Sequence, residues 1–213
     1  MLLFGHIGIT LASAALGFGL KDKLRQGTTG NGVEENSLIG YSCSSNKRLG
    51  SSVSFFRSLA NRFDIRFLLI GSILPDIIDK PIGVYLFWEN FSNGRIFSHT
   101  LLFLVLITVA AIFIKRYSGK TWGLALSIGT LFHLVLDQMW QMPKTLLWPI
   151  LGLGFEKMET ANYLGNIFYA LLEEPAIYVP EIIGFMVFVW FAWELLRYRA
   201  TTRFLKQGRI TDL

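Results

Sequence analysis

Apolar positions along this chain fall in long runs separated by short polar blocks, with neither the strict alternation of a half-buried strand nor turn signals every few residues. A hydrocarbon layer about 30 Å thick needs roughly 20 mostly apolar residues per helix. Windows of that kind, poor in Lys and Arg, cover residues 2–20, 67–88, 97–114, 121–140 and 176–196, the second being the least regular. The pattern predicts an all-α integral membrane bundle of about five transmembrane helices. A broken or kinked second span is expected at Pro75, which denies its helix one hydrogen bond.

Composition agrees with the pattern. Over 213 residues the mean hydropathy is +0.45 and 52% of residues are hydrophobic, more than an ordinary soluble core requires. The small residues Ala12-Ser13-Ala14 could end a signal peptide, but no Lys or Arg precedes the first apolar run, which therefore reads as a retained helix. Residues 1–200 form a single transmembrane helical domain in this reading, followed by a basic cytoplasmic tail, 201–213.

The formal charge of +5 comes from blocks beside the spans rather than from one basic face, which excludes nucleic acid as a partner and leaves the lipid bilayer. Lys21, Lys23, Arg25, Lys47, Arg48, Arg57, Arg62 and Arg66 lie between the first two spans. Lys115, Arg116 and Lys120 follow the third, and Arg197, Arg199, Arg203, Lys206 and Arg209 follow the fifth. The positive-inside rule makes all three regions cytoplasmic, so the N-terminus lies outside and the C-terminus inside the cell membrane. Residues 138–181 carry Glu156, Glu159, Glu173, Glu174 and Glu181 against Lys144 and Lys157, and suit the external side; Glu173, Glu174 and Glu181 read as a solvated acidic rim. Residues 27–54, rich in Gly, Ser and Asn, read as a mobile cytoplasmic insert. Trp88, Trp122, Trp140, Trp148 and Tyr178 near span ends read as interfacial anchors. Oligomeric state is not legible in the sequence.

With Cys43 as the single cysteine, any metal must be held by imidazole and carboxylate. Each of the three histidines sits in or beside an apolar span: His6 in the first, His99 opening the third, His133 in the fourth with Asp137 four residues on. Asp76 and Asp79 lie in the second span, three apart, so each pair projects from one helical face. A lone histidine in a membrane helix is commonly a packing residue. Six ionisable groups are another matter, because an Asp at a helix centre costs roughly 2.5–3.5 kcal/mol and persists when it is paired or binds something. Counting a rise of about 1.5 Å per residue from the cytoplasmic ends puts Asp76 and Asp79 at roughly 13–18 Å, His133 and Asp137 at roughly 18–24 Å, and His6 and His99 near 20 Å. All six reach one level. Such a donor set suits zinc, ahead of manganese or iron, as one ion or two. Arg95, four residues before His99, could clamp a phosphate or carboxylate or simply anchor a headgroup.

Four motifs follow in order: Gly5-His6; Leu74-Pro75-Asp76 with Asp79; Arg95-Ile96-Phe97-Ser98-His99-Thr100; and His133 with Asp137, trailed by Leu147-Trp148-Pro149. Together they resemble the LexA-binding, inner membrane-associated hydrolases, also described as membrane-bound metal-dependent hydrolases, over residues from His6 to about Pro149. The chain departs from that pattern in having Asp76-Ile77-Ile78-Asp79-Lys80 for Asp-x-Asp-His, and Gly94 where a His often precedes the Arg. These departures make one ion easier to hold than two. The resemblance implies hydrolysis, with a phosphoester the favoured substrate, since the group is distantly similar to zinc-dependent phospholipases C.

The reading is then a metal-dependent hydrolase of a lipid or lipid-linked anionic substrate at the outer side of the membrane. Metal ligands come from His6, Asp76, Asp79, His99, His133 and Asp137. Asp79 is a candidate general base if it does not ligate, and Arg95 the residue that offsets developing charge. Two rivals stand beside it: a metal-cation transporter or channel, against which the fixed cation Arg95 and the lack of internal repeats argue, and a scaffold whose polar groups merely join helices.

Overall fold

The computed structural model describes residues 3–29, 64–156, 163–197, 199 and 201–207. Every regular element among them is helical. In chain order these are α1 (Leu3–Thr29), α2 (Ile65–Lys80), a π-helical turn (Pro81–Leu86), α3 (Trp88–Phe91), α4 (Leu101–Ser118), α5 (Trp122–Leu136), a 3-10 turn (Met139–Gln141), α6 (Pro143–Leu146), α7 (Tyr163–Glu173), α8 (Pro175–Arg197) and α9 (Thr201–Gln207). The insert expected at 27–54 lies outside the described residues except for 27–29, which end α1. Residues 201–207 of the expected tail are helical, and Phe204 packs its ring edge-on against Phe191.

α4 and α8 are long and apolar enough to cross a bilayer; residues 3–16 of α1 and all of α5 are shorter apolar helices. Two such helices among the described residues are fewer than the five spans expected, and in α2 and α5 local chemistry shortens the helix. Pro81 has no N–H for the carbonyl one turn back, so regular α geometry stops at Lys80 and passes into the π turn. The helix is not broken at Pro75 but runs on through it, and regular α geometry gives way at Pro81. α5 stops at Leu136 because the chain turns left-handed at Gln138 (φ 52°). α4 buries little beyond Ala111, while Leu102, Val105, Leu106, Val109, Ile112 and Phe113 are exposed, an apolar surface that water does not tolerate and lipid does.

α2 packs on α5, α1 on α8 and α4 on α5. Two crossings are close enough to exclude a side chain. A Cβ on Gly129 would collide with the Leu68 carbonyl, and one on Gly184 with the Phe4 carbonyl, the small-residue packing by which membrane helices approach. At one end of the bundle the interior is apolar: Leu11, Ala14, Ile65, Leu68, Ala125, Phe191, Leu195 and Phe204 form its core. At the other end the starts of α1, α4 and α8 meet the ends of α2 and α5, and there the interior is polar.

Candidate metal centre

One stripe of α5 explains the contrast between the two ends. Ala125, Gly129, His133 and Asp137 recur every fourth residue, so the face that slides closely along α2 carries an imidazole and a carboxylate where it emerges. α2 supplies the complement. Pro75 leaves the Gly71 carbonyl without its helical donor, and the Thr130 hydroxyl lies 3.3 Å from it, sharing its one hydrogen with the Leu126 carbonyl at 3.1 Å. The next carbonyl, that of Ser72, accepts Nδ1–H of His133 at 2.7 Å.

The segment before α4 is organised by Asp79, which is fully buried. Its carboxylate accepts the N–H groups of Ile96 (2.7 Å), Ser98 (3.0 Å) and His99 (3.2 Å), and Nδ1–H of His99 at 2.7 Å. Ser98 Oγ donates to the Pro75 carbonyl at 2.9 Å, and Thr100 caps α4 by accepting from Phe103 N. Buried Asn93 accepts Arg95 N–H at 2.8 Å and donates to the Glu156 carbonyl at 2.8 Å, tying this segment to the one that follows α5. Phe97, Trp148 and Phe155 pack together over it, so Trp148, expected as an interfacial anchor, makes tertiary contacts.

These restraints aim two imidazoles at each other. Nε2 of His99 and Nε2 of His133 lie 3.1 Å apart, while both Nδ1 atoms are committed as donors elsewhere. With both Nδ1 atoms protonated, the Nε2 atoms of two neutral rings present lone pairs to one another, which is repulsive unless a cation or proton sits with them. Asp76 Oδ1 lies 3.6 Å from Nε2 of His99 and 3.8 Å from Nε2 of His133, and Asp137 Oδ2 lies 3.8 Å from Nε2 of His99. Asp76, His99, His133 and Asp137 each offer a ligand atom, all within 4.8 Å of one another. Bonds of about 2.0–2.1 Å to a tetrahedral ion require edges near 3.3 Å, so these four donors suit such an ion in kind, and at 3.1–3.8 Å for four pairs and within 4.8 Å for all they would draw inward to hold it.

The remaining candidates surround this group. His6, fully buried, stacks on His133 at 4.1 Å between ring centroids, with Nε2 3.2 Å from Asp137 Oδ1; neither ring nitrogen makes a well-formed hydrogen bond among the described residues. Asp79 stands behind His99 rather than in the four-donor group. Arg95 donates from Nε to Asp137 Oδ2 at 2.7 Å, and its Nη1 lies 3.8 Å from Met142 Sδ.

Two charged neighbours escaped the sequence reading. Lys80 Nζ donates to Asp76 Oδ2 at 2.6 Å, a pairing that the four-residue spacing on a helix makes available. Glu181, read as part of a solvated rim, is instead buried and accepts Phe4 N–H at 3.0 Å, serving the first turn of α1 two residues before His6. The signal for it was its place inside an apolar helix, where Pro180 also stands.

A family model described as YdjM inner membrane protein matches residues 1–203. No curated protein and no solved structure matches the chain.

Proposed function

Because the chain belongs to the YdjM inner membrane protein family, we propose that its buried four-donor cluster is the metal centre of a membrane-bound hydrolase acting on a phosphoester of a lipid or lipid-linked substrate. Membership of that family agrees with the resemblance carried by the four motifs and puts the chain in the inner membrane. The observation that carries the reading is the facing pair of Nε2 atoms on His99 and His133, 3.1 Å apart, with two carboxylates beside them.

Asp76, His99, His133 and Asp137 would hold one ion, zinc ahead of manganese or iron, which when bound supplies Lewis acidity toward water and a phosphoryl oxygen. Asp79 and the Ser72 carbonyl fix the two rings so that Nε2 points inward, the support that metal-binding histidines ordinarily have. Asp79 has its carboxylate taken up by N–H donors, so the base role passes to Asp137 and His6. Oδ1 of Asp137 faces His6 Nε2, and that nitrogen is where the proton removed from water comes to rest. Arg95 steadies Asp137 and turns its remaining N–H groups to the anion.

Exposed Tyr85, Leu86 and Phe87, on the turn that follows Lys80, favour a substrate with acyl chains. The five-span arrangement, with the N-terminus and the cluster outside, belongs to this proposal: α2 and α5, each too short alone, cross together with the turns that extend them. Cation transport is the weaker reading, because Lys80 and Arg95 both stand on the cluster's carboxylates and would repel a passing cation.

The test is elemental analysis of the purified full chain, followed by a screen of phospholipid and lipid-linked phosphate substrates. About one zinc per chain and phosphate or phosphoester release are expected. A wild-type protein free of zinc, manganese and iron would end the metal-centre reading.

A further inference from the structure

We propose that Lys80 and Arg95 form a two-cation clamp for the phosphate group of the substrate at the mouth of the cluster; the inference rests on the metal-centre reading above. Lys80 brings the ammonium that the sequence reading did not use. It stands on Oδ2 of Asp76, the carboxylate whose Oδ1 faces both imidazoles. Arg95 stands in the same way on Asp137. Each cation thus touches a different ligand carboxylate, and the two carboxylates lie within one four-donor group.

Exposure shows which side of the group is open. The side chains of His99, His133 and Asp79 are fully buried and that of Asp137 is 3% exposed, whereas Asp76 is 14%, Lys80 30% and Arg95 32% exposed. A ligand approaching the cluster therefore meets the two cations first. Lys80 uses one of its three N–H donors on Asp76, and Arg95 uses Nε on Asp137, so both keep donors for an incoming oxyanion.

Charge gives the same answer and adds a condition. With the carboxylates ionised and the imidazoles neutral, Asp76, Asp79, Asp137 and nearby Glu181 outweigh Lys80 and Arg95 by two negative charges. A divalent ion removes that excess. An oxyanion should therefore bind to the loaded protein and be rejected by the empty one. A solvated i,i+4 pair at a helix end would give Lys80 no influence on that binding.

The experiment uses the full chain in dodecyl maltoside micelles, zinc-loaded or chelator-treated, with calorimetric titration of inorganic phosphate in one arm and dihexanoyl phosphatidic acid in the other. The wild type should bind phosphate in the zinc form alone. Lys80→Met should weaken it by about 10-fold or more, as expected for loss of a charged hydrogen bond, with zinc content unchanged. Lys80→Arg should recover most of the affinity. Tighter binding of phosphatidic acid identifies a lipid headgroup as the source and equal affinities identify free phosphate; Lys80 dependence in either supports the clamp. Wild-type affinity in Lys80→Met, or loss of zinc from it, overturns the clamp. Zinc-loaded wild type that ignores both anions overturns the clamp alone, and wild type that takes up no metal overturns the metal-centre reading with it.

Discussion

His133 donates Nδ1–H to the carbonyl of Ser72 at 2.7 Å, across the interface between α5 and α2. Pro75 releases the neighbouring Gly71 carbonyl, to which Thr130 of α5 reaches, so a helix imperfection in α2 adds a second contact that seats α5 where His133 meets Ser72. Pro75→Ala restores the missing donor and lets α2 close on its own carbonyls. Zinc affinity should fall by about 10-fold, the lower range for losing a supporting contact, while the protein still inserts. Competition with a chromogenic chelator measures it, and unchanged affinity would show that Pro75 has no part in the site.

Replacing His133 or Asp137 with Ala should remove bound metal from protein that still reaches the membrane fraction. Ion binding to the native state alone raises its melting temperature, so chelation should lower that of the wild type and leave both variants unmoved. Normal metal content in both would defeat the assignment.

Asp79→Asn keeps the shape of a side chain that accepts three backbone N–H groups and an imidazole N–H, but gives it an amide that has to face donors. The buried pair with His99 is broken, at a cost of about 3 kcal/mol. Thermal melting should show the loss, together with weaker zinc binding as His99 is freed to turn. A fully stable variant with wild-type zinc affinity would contradict the positioning role.

His6→Gln separates ligation from proton transfer. If His6 receives the proton by way of Asp137, zinc content should stay within about twofold while turnover on a substrate found by screening falls by about 10²-fold or more. Loss of zinc would instead make His6 a ligand, as the sequence alone allows.

Gly129→Val should force α5 away from the Leu68 carbonyl, costing about 1–3 kcal/mol as overpacking and separating His133 from Ser72. Both thermal stability and zinc binding should drop. Gly154→Ala, at a position open to space, is the control expected to change neither.

The apolar runs, the basic blocks and the placing of His6, Asp76, Asp79, His99, His133 and Asp137 in or beside the apolar runs could all be read from the chain, because each is a property of neighbours in sequence. Helical rise, counted from the cytoplasmic ends that the basic blocks assign, brought those six residues toward one level. The same reasoning could not find where α2 yields, since Pro75 and Pro81 look equally able to interrupt it and the side chains that meet the Gly71, Ser72 and Pro75 carbonyls come from α5 and the segment before α4.

By itself the sequence determined an all-helical membrane chain with imidazole and carboxylate placed in or beside its apolar spans, for hydropathy and periodicity are local. The division of those six residues into ligands and supports was decided by tertiary structure. Asp76 and Asp79 are three residues apart on one helix, yet Asp76 faces the imidazoles and Asp79 faces backbone N–H groups some twenty residues away. That choice depends on which surface each side chain meets after α1, α2 and α5 have packed, and on Gly129 letting the last two approach, a contact between positions about sixty residues apart.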